Sequence, residues 1–215
     1  TFDLDVDYRV IEMHDWLPEA GPGFGWPESR IWINPSPNAA NLNMARAYAG
    51  TVMLEGTTLS EGRGTTRPLE VLFGAPELDA AAVLAEMERF APDWLAGCAL
   101  RECWFTPTFH KYAGMLCNAL MIHAEGQFYQ SEAFRPWRLQ ALAFKAIRRL
   151  HPEYPIWRDF AYEYELDRLA IDVIDGGPGL REWVDDPAAE PADLECLASA
   201  DEARWREEVA DLLLY

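Results

Sequence analysis

Apolar residues recur at helical spacing in two segments of the chain, residues 78–90 and 135–150. In both segments they return every third or fourth position, which places them on one face of a helix. Pro92 lies just beyond the first segment and ends it. The pattern therefore predicts two amphipathic helices that cover a common core.

A third helical pattern lies near the end of the chain, over residues 201–213. It predicts an acidic amphipathic helix, preceded by a Pro- and Ala-rich surface linker over residues 185–193. The residues that this pattern turns inward are Trp205, Val209, Leu212 and Leu213.

Short runs rich in β-forming residues predict four strands, at residues 9–13, 51–54, 100–105 and 117–123. Residues 39–48 predict a further helix, which Asn38 or Asn41 would cap. The sequence predicts a long irregular loop at residues 14–37 and an extended or short helical segment at 68–73. It predicts a short helix or strand at 169–174. Because strands and helices do not alternate regularly, we expect a fold between α/β and α+β, an irregular mixed sheet with flanking helices.

Composition and charge narrow the class of protein. Half of the 215 residues are hydrophobic, with 9 Trp, 8 Tyr and 10 Phe, so the chain can bury one large core and we treat residues 1–215 as a single domain. The formal net charge of −18 argues against nucleic acid or an anionic membrane surface as a partner, since both attract clustered cations. No run of about 18 apolar residues predicts a membrane span.

The cysteines and histidines do not predict a metal site. The four cysteines, at positions 98, 103, 117 and 196, form no Cys-x-x-Cys pair. We interpret them as free buried thiols, although the sequence leaves a disulfide open. The four histidines are scattered without the spacing of zinc ligands, and His123 at the end of a strand is interpreted as a core histidine.

The densest polar cluster is residues 55–68, a glycine-rich loop after the predicted strand 51–54. Gly56, Gly62 and Gly64 permit positive φ angles, so backbone N–H groups can approach a ligand. Glu55 and Glu61 lie six residues apart, and glycoside hydrolysis usually requires two carboxyl groups. A salt-bridged structural turn would show the same composition. The loop's other candidate side chains are Thr57, Ser60, Arg63, Thr65 and Thr66.

Two smaller clusters each allow a functional and a structural interpretation, and a third is interpreted as structural. Residues 105–114 place His110 and Lys111 among aromatic rings, which suits stacking on sugars or simply closes the core. Asn38, after two prolines, either donates to a ligand or caps the next helix. Asp172 and Asp175, before a Gly-Gly pair, are interpreted as turn or capping carboxylates.

Ordered motifs along the chain resemble the exo-β-N-acetylmuramidase family, long catalogued as a domain of unknown function. They are Pro35-Ser36-Pro37-Asn38, Tyr48-Ala49-Gly50-Thr51, Leu54-Glu55-Gly56-Thr57, Leu59-Ser60-Glu61-Gly62-Arg63-Gly64-Thr65, Arg67-Pro68 and Gly74-Ala75-Pro76. Weaker matches extend the resemblance from about residue 6 to residue 181. Three positions differ from the family pattern: Thr58 replaces asparagine, Leu69 phenylalanine and Asn118 glycine.

The resemblance implies a hydrolase that releases terminal N-acetylmuramic acid from the non-reducing end of peptidoglycan fragments, without a metal or organic cofactor. It implies a Rossmann-like N-terminal half and a smaller C-terminal subdomain with the active site between them. We expect this chain to start at the end of the first half, with residues 1–95 bearing the site and 96–215 forming the C-terminal subdomain. The missing half is then a partner, and the expected location is periplasmic or secreted.

On this resemblance we assign Glu55 as the first candidate for the general acid and Glu61 as the second. Arg63 would pair with the lactyl carboxylate of the sugar or orient a catalytic carboxylate. Sugar hydroxyls or the acetamide would contact Thr57, Ser60, Thr65 and Asn38, and Lys111 is a further substrate-binding candidate. The alternatives are a carbohydrate-binding or interaction module without catalysis, and a purely structural domain.

Overall fold

The computed structural model describes residues 5–18, 20, 25–27 and 29–214. Its helices are α1 (Leu42–Thr51), α2 (Ala80–Phe90), α3 (Pro136–Leu150), α4 (Ala170–Ile174), α5 (Gly179–Asp185) and α6 (Pro191–Val209). Its strands are β1 (Val71–Ala75), β2 (Ala99–Phe105) and β3 (Cys117–His123). Short 3₁₀ helices occur at Val52–Gly56, Pro92–Leu95, Gly126–Phe128 and Ala210–Leu212.

The three strands form one antiparallel sheet in the order β1-β3-β2. β2 pairs with β3 without interruption from Ala99 opposite His123 to Phe105 opposite Cys117. β1 pairs with the other edge of β3 and shifts register between Val71 and Gly74. The combination of this small sheet with flanking helices confirms the predicted fold class.

Helix α3 lies at the centre of the core, in contact with α1, α2, α5 and β1. Its residues from Leu139 to Ile147 are buried, including the polar Gln140 and Lys145. Gln140 donates to the carbonyl of Leu72 on β1, and Lys145 donates to the carbonyl of Trp183 on α5. These bonds satisfy the buried amide and ammonium donors, whereas Oε1 of Gln140 has no hydrogen-bond partner among the described residues. One cluster of buried residues includes members from both sides of residue 95. The predicted division of the chain into a site-bearing segment, 1–95, and a C-terminal subdomain, 96–215, stays a prediction.

Several predicted elements are confirmed, with small changes at their ends. α2 and α3 lie within the predicted ranges, and β2 and β3 match their segments to within one residue. α1 begins at Leu42, where Asn41 caps it by accepting a hydrogen bond from the backbone N–H of Met44. The sequence left Asn38 and Asn41 open as the cap of this helix, and the structure shows that Asn41 is the cap. The segment 68–73 is partly strand, and 169–174 is helical.

Two predicted strands are wrong. Residues 51–54 end α1 and begin the 3₁₀ helix Val52–Gly56, because the carbonyls at the end of α1 continue to accept bonds from the following residues. Residues 9–13 form no strand in the described part of the chain, and Ile11 is 89% exposed. Among the described residues, no strand pairs with this segment, and a strand needs such a partner. The loop predicted at 14–37 is irregular where described; residues 19, 21–24 and 28 lie outside the described residues.

The predicted inward face of the last helix is also wrong. α6 starts at Pro191, with a capping box between Glu190 and Asp193. The predicted linker, residues 185–193, therefore contains the last residue of α5 and the first turn of α6. Its buried residues, Leu194 and Ala198, belong to the first half of the helix. The second half extends beyond the core, so Trp205 is exposed and Val209 is only half-buried. Leu212 and Leu213, which follow α6, are exposed as well. Within the described part of the chain, no helix has the length and apolar character required to cross a bilayer.

The four cysteines are free thiols, as predicted. Cys103 and Cys117 are buried on the sheet, Cys98 is half-buried and Cys196 is exposed on α6, which corrects the burial expected for all four. Burial raises the pKa of Cys98 to about 12 and that of Cys117 to about 11, so both are poorly reactive near neutral pH. His123 is partly buried, with its ring near Glu125 and Arg101.

The two aspartates before the Gly-Gly pair are structural. Asp172 accepts two hydrogen bonds from Arg181, at 2.8 and 2.9 Å. Asp175 is the residue at the end of α4 and accepts a 2.8 Å bond from the indole N–H of Trp137. Burial raises the pKa of Asp175 to about 6, so the folded protein holds its proton more tightly than the unfolded chain does.

We expect Asp175→Asn to stabilise the protein near pH 7.5. Above pH 6 the fold keeps a partly buried carboxylate ionised, and this cost disappears as the pH falls through 6 toward 3.8. The amide can still accept the Trp137 bond without the charge. Allowing for solvent screening, the gain should be about 1 kcal/mol at pH 7.5 and close to zero at pH 4. Urea unfolding at both pH values measures it, with the exposed Asp167→Asn as control. A loss of stability at pH 7.5 would contradict this account.

Candidate functional site

Glu55 reaches the surface from the 3₁₀ helix Val52–Gly56, which extends α1. The next residue, Gly56, packs directly on α4: a Cβ at this position would lie 2.7 Å from the backbone of Ile171. Only glycine fits such a close approach. The packing fixes the backbone beside Glu55, whose side chain remains 23% exposed.

The loop after Glu55 packs against a second loop, residues 106–114. Gly64 has a φ of +82°, and a Cβ there would lie 2.8 Å from the backbone nitrogens of Thr108 and Phe109. The carbonyl of Gly64 accepts bonds from the backbone and the hydroxyl of Thr108. The two polar clusters that the sequence pointed to are therefore neighbours in the fold.

Arg63 bridges the two candidate glutamates. Its Nε donates to Oε1 of Glu61 at 2.9 Å, and its Nη2 donates to Oε1 of Glu55. The side chain of Arg63 is 23% exposed, whereas the side chain of Glu61 is completely buried. Desolvation by burial lowers the pKa of Arg63, but the bonds and charges of the glutamates outweigh it and raise the pKa overall. Arg63 thus stays cationic and joins one accessible carboxylate to one buried carboxylate.

Lys111 lies behind this pair and is almost fully buried. Its ammonium donates to the carbonyls of Leu54 and Leu59, at 2.7 and 2.9 Å, and to Oε2 of Glu61 at 3.0 Å. These three acceptors match its three protons. Burial lowers the pKa of Lys111, while Glu61 opposes that shift. The ammonium is occupied by the protein itself and ties the Glu55 and Glu61 segments together.

The backbone around Lys111 is strained on both sides. His110 and Tyr112 have φ angles of +72° and +54°, a region that side-chain-bearing residues rarely adopt. The imidazole Nδ1 of His110 lies 3.3 Å from Oε1 of Glu61. Burial lowers the pKa of His110, and the Glu61 charge partly offsets this. Strain of this kind clusters at functional sites, where surrounding contacts maintain it.

A cavity of about 340 Å³ adjoins the exposed side of Arg63. Asn38, Tyr48 and Trp32 also line it, together with Met44 and Leu69. The side-chain amide of Asn38 makes no hydrogen bond to a described residue, and Asn41 rather than Asn38 caps α1. The cavity therefore presents a cation, an amide and aromatic rings to a ligand.

The loop hydroxyls are used within the protein. Thr57 and Ser60 are buried: Thr57 donates to the carbonyl of Leu54, and Ser60 accepts from the N–H of Gly62. Thr65 donates to the carbonyl of Gly62 at 2.6 Å and lines a different cavity, on the outer face of the sheet. The structure brings Glu55, Glu61, Arg63 and Lys111 together and places Asn38 across the cavity. It separates Thr57, Ser60 and Thr65 from that cavity's lining.

Two residues at the site were not assigned a role from the sequence, although Tyr48 belongs to one of the motifs that carry the family resemblance. Tyr162 donates from its hydroxyl to Oε2 of Glu55 at 3.0 Å, although 107 positions separate them. Tyr48, which belongs to α1, lines the cavity beside Arg63. Neither belongs to the polar loop, so local composition contained no signal for them.

Two of the three residues that depart from the family pattern make hydrogen bonds within the protein, and nothing in the structure explains why leucine stands at position 69. Asn118 accepts a bond from the N–H of Ala80 at the start of α2 and donates to Glu102. Thr58 donates to the carbonyl of Pro155. Leu69 is buried with a φ of +63° and lines the Arg63 cavity. Of the three, only Leu69 contacts the candidate site.

Comparison with known proteins gives consistent results. The family model described as "Exo-beta-N-acetylmuramidase NamZ, C-terminal" matches residues 46–215. A relative in Bacillus subtilis (strain 168), peptidoglycan beta-N-acetylmuramidase NamZ, is 31% identical over 153 residues, covering 71% of this chain and 34% of that protein.

Two crystal structures of DUF1343 family proteins from Bacteroides fragilis NCTC 9343 share the fold. The match to the first has a TM-score of 0.67 at 17% sequence identity, and it covers 89% of this chain and 49% of the Bacteroides chain. The other has a TM-score of 0.58 at 19% identity, with 85% and 44% covered. The chain thus spans about a third of the curated relative and just under half of each solved chain. This chain belongs to the exo-β-N-acetylmuramidase family and corresponds to its C-terminal portion.

Proposed function

We propose that the protein containing this chain is a glycoside hydrolase that releases terminal N-acetylmuramic acid from the non-reducing ends of peptidoglycan fragments. The observation that carries the proposal is the Arg63 bridge between Glu55 and Glu61, next to a cavity lined by Asn38 and aromatic rings. Family membership and the curated relative support the reaction class.

Within this proposal the two glutamates have different roles. Glu55 is partly exposed and can reach a substrate, so it is the proposed general acid: in its protonated form it would give its proton to the oxygen of the leaving group as the glycosidic bond breaks. Glu61 is fully buried, between Arg63 and Lys111. It therefore holds Arg63 in place, and Arg63 in turn orients Glu55.

Arg63 also has a proposed direct contact with the substrate. Its Nε and Nη2 serve the glutamates, while Nη1 has no hydrogen-bond partner among the residues that the structure describes. N-acetylmuramic acid carries a lactyl carboxylate, an anion that a guanidinium binds well. Asn38 would bind the acetamide or a hydroxyl, and Tyr48 and Trp32 would pack on the sugar ring. Thr57, Ser60, Thr65 and Lys111 would then act by shaping the loop.

The rest of the cleft is proposed to come from a Rossmann-like half outside this chain. The curated relative and the solved structures are two to three times as long as the part matched here. Residues 6–33 expose apolar side chains that such a half would cover, including Tyr8, Ile11, Ile31 and Ile33. A location outside the inner membrane, periplasmic or secreted, follows from the proposed substrate.

The test uses the full-length protein and two disaccharides that differ only in order. We expect release of N-acetylmuramic acid from the one with this sugar at its non-reducing end, detected by mass spectrometry. The reversed disaccharide, with N-acetylglucosamine at that end, is the control and should stay intact. Binding without product would favour the alternative of a carbohydrate-binding module. If neither disaccharide binds, the chain is a structural domain.

A further inference from the structure

The segment that follows Tyr154 runs beside the Glu55 helix and is anchored to it. Thr58 donates from its N–H to the carbonyl of Ile156 at 2.8 Å, and Arg158 donates from its N–H to the carbonyl of Gly56 at 3.1 Å. Thr57 and Trp157 form an antiparallel bridge. These bonds hold residues 156–158 against the backbone immediately after Glu55.

Beyond this anchor, the chain folds into a short arm, residues 158–166, that carries Tyr162 back to Glu55. The guanidinium of Arg158 lies 4.0 Å from the ring centre of Phe160, whose ring meets that of Tyr162 edge to face at 6.1 Å. The backbones of Tyr162 and Glu165 form an antiparallel bridge that closes the turn. Glu163, between them, has a φ of +53°, in the left-handed region. The arm thus has its own packing and fixes where the phenol of Tyr162 lies.

Both oxygens of Glu55 are then held by different donors. Arg63 donates to Oε1, and Tyr162 donates to Oε2 at 3.0 Å. With one donor the carboxylate could still rotate about its last bond, whereas two donors on opposite oxygens fix its plane. A catalytic group must be held to within a fraction of an ångström to be effective.

We infer that Tyr162 is a positioning residue for Glu55, and that the 158–166 arm serves to carry this one side chain to the active site. This inference rests on the proposed function, because it assigns Tyr162 a role in the turnover that Glu55 supports. Tyr162 acts through Glu55 and is not itself a proton-transfer group: burial and the contact with Glu55 raise the pKa of its phenol to about 12.

The activity test compares Tyr162→Phe with Tyr164→Phe in the full-length protein. Tyr164 lies two residues away on the same arm and is 97% exposed, so it is a matched control. We expect Tyr162→Phe to lower kcat about tenfold with KM within twofold, since the ring stays and only the hydroxyl is lost. Tyr164→Phe should leave both constants unchanged. An active protein in which Tyr162→Phe has the wild-type kcat would overturn the inference and leave the proposed function intact.

A second measurement does not depend on activity or on Tyr162→Phe folding well. In ring-labelled protein followed by NMR, the Tyr162 phenol should remain protonated up to pH 11 in the wild type. In Glu55→Gln its pKa should fall toward the ordinary value near 10, because the neighbouring charge is gone. If Tyr162 titrates identically in both proteins, the contact is absent and the inference fails. Absence of sugar release by the wild type would instead refute the proposed function.

Discussion

Glu55→Gln in the full-length protein is expected to lower kcat for release of N-acetylmuramic acid by about 100- to 10,000-fold, the usual contribution of general acid catalysis. The amide has the same shape as the carboxyl group, and its single oxygen can still accept the bond from Arg63, whereas its NH₂ group cannot accept the bond from Tyr162. It cannot donate a proton to a leaving group in the same way. We therefore expect KM to stay within a few-fold of the wild-type value.

Steady-state kinetics on a muramic acid glycoside with a fluorescent leaving group would measure this effect. The control is Glu88→Gln, an exposed glutamate on α2, which should retain full activity. Circular dichroism establishes that the Glu55 variant is folded. Turnover close to that of the wild type would show that Glu55 is not the acid. Glu61→Gln, tested in parallel, then decides whether the buried carboxylate has that role.

Lys111→Met should lower the free energy of unfolding by about 3 kcal/mol, because it removes one partner from a buried ion pair. Glu61 would keep its ion pair with Arg63 but lose its ion pair with Lys111. The carbonyl of Leu59 would lose the hydrogen bond that Lys111 donates. Burial lowers the pKa of Lys111, so desolvation offsets part of its attraction to Glu61. The expected loss therefore comes largely from the buried acceptors that Met leaves without a donor.

Urea unfolding of Lys111→Met, Glu61→Gln and the double variant forms a thermodynamic cycle. We expect the double variant to be at least about 1 kcal/mol more stable than the sum of the two single losses predicts, since the residues are in direct contact. Arg204→Met is the control: its side chain is 70% exposed on α6, and its ion pairs should contribute less than about 1 kcal/mol. A loss for Lys111→Met as small as that of the control would mean that Lys111 does not hold the site together.

The candidate site was only partly predictable from the sequence. The polar loop identified Glu55, Glu61 and Arg63 because they are close in sequence and the glycines between them allow a tight turn. The distinct burial of the two glutamates had no local signal, since it depends on Lys111 and His110 from another loop. Tyr162 was missed for the same reason: its arm reaches Glu55 only after residues 156–158 pair with residues 56–58.

The sequence by itself determined the elements whose side chains repeat regularly, above all α2, α3, β2 and β3, because periodic burial is a local property of a helix or strand. It also determined the chemistry of the loop at residues 55–68. Tertiary structure decided that residues 52–56 continue a helix, that residues 9–13 form no strand in the described part of the chain, and that the end of α6 is exposed. Whether an apolar stripe is buried, or a run of β-formers becomes a strand, depends on which surfaces lie opposite it, and those surfaces come from distant parts of the chain.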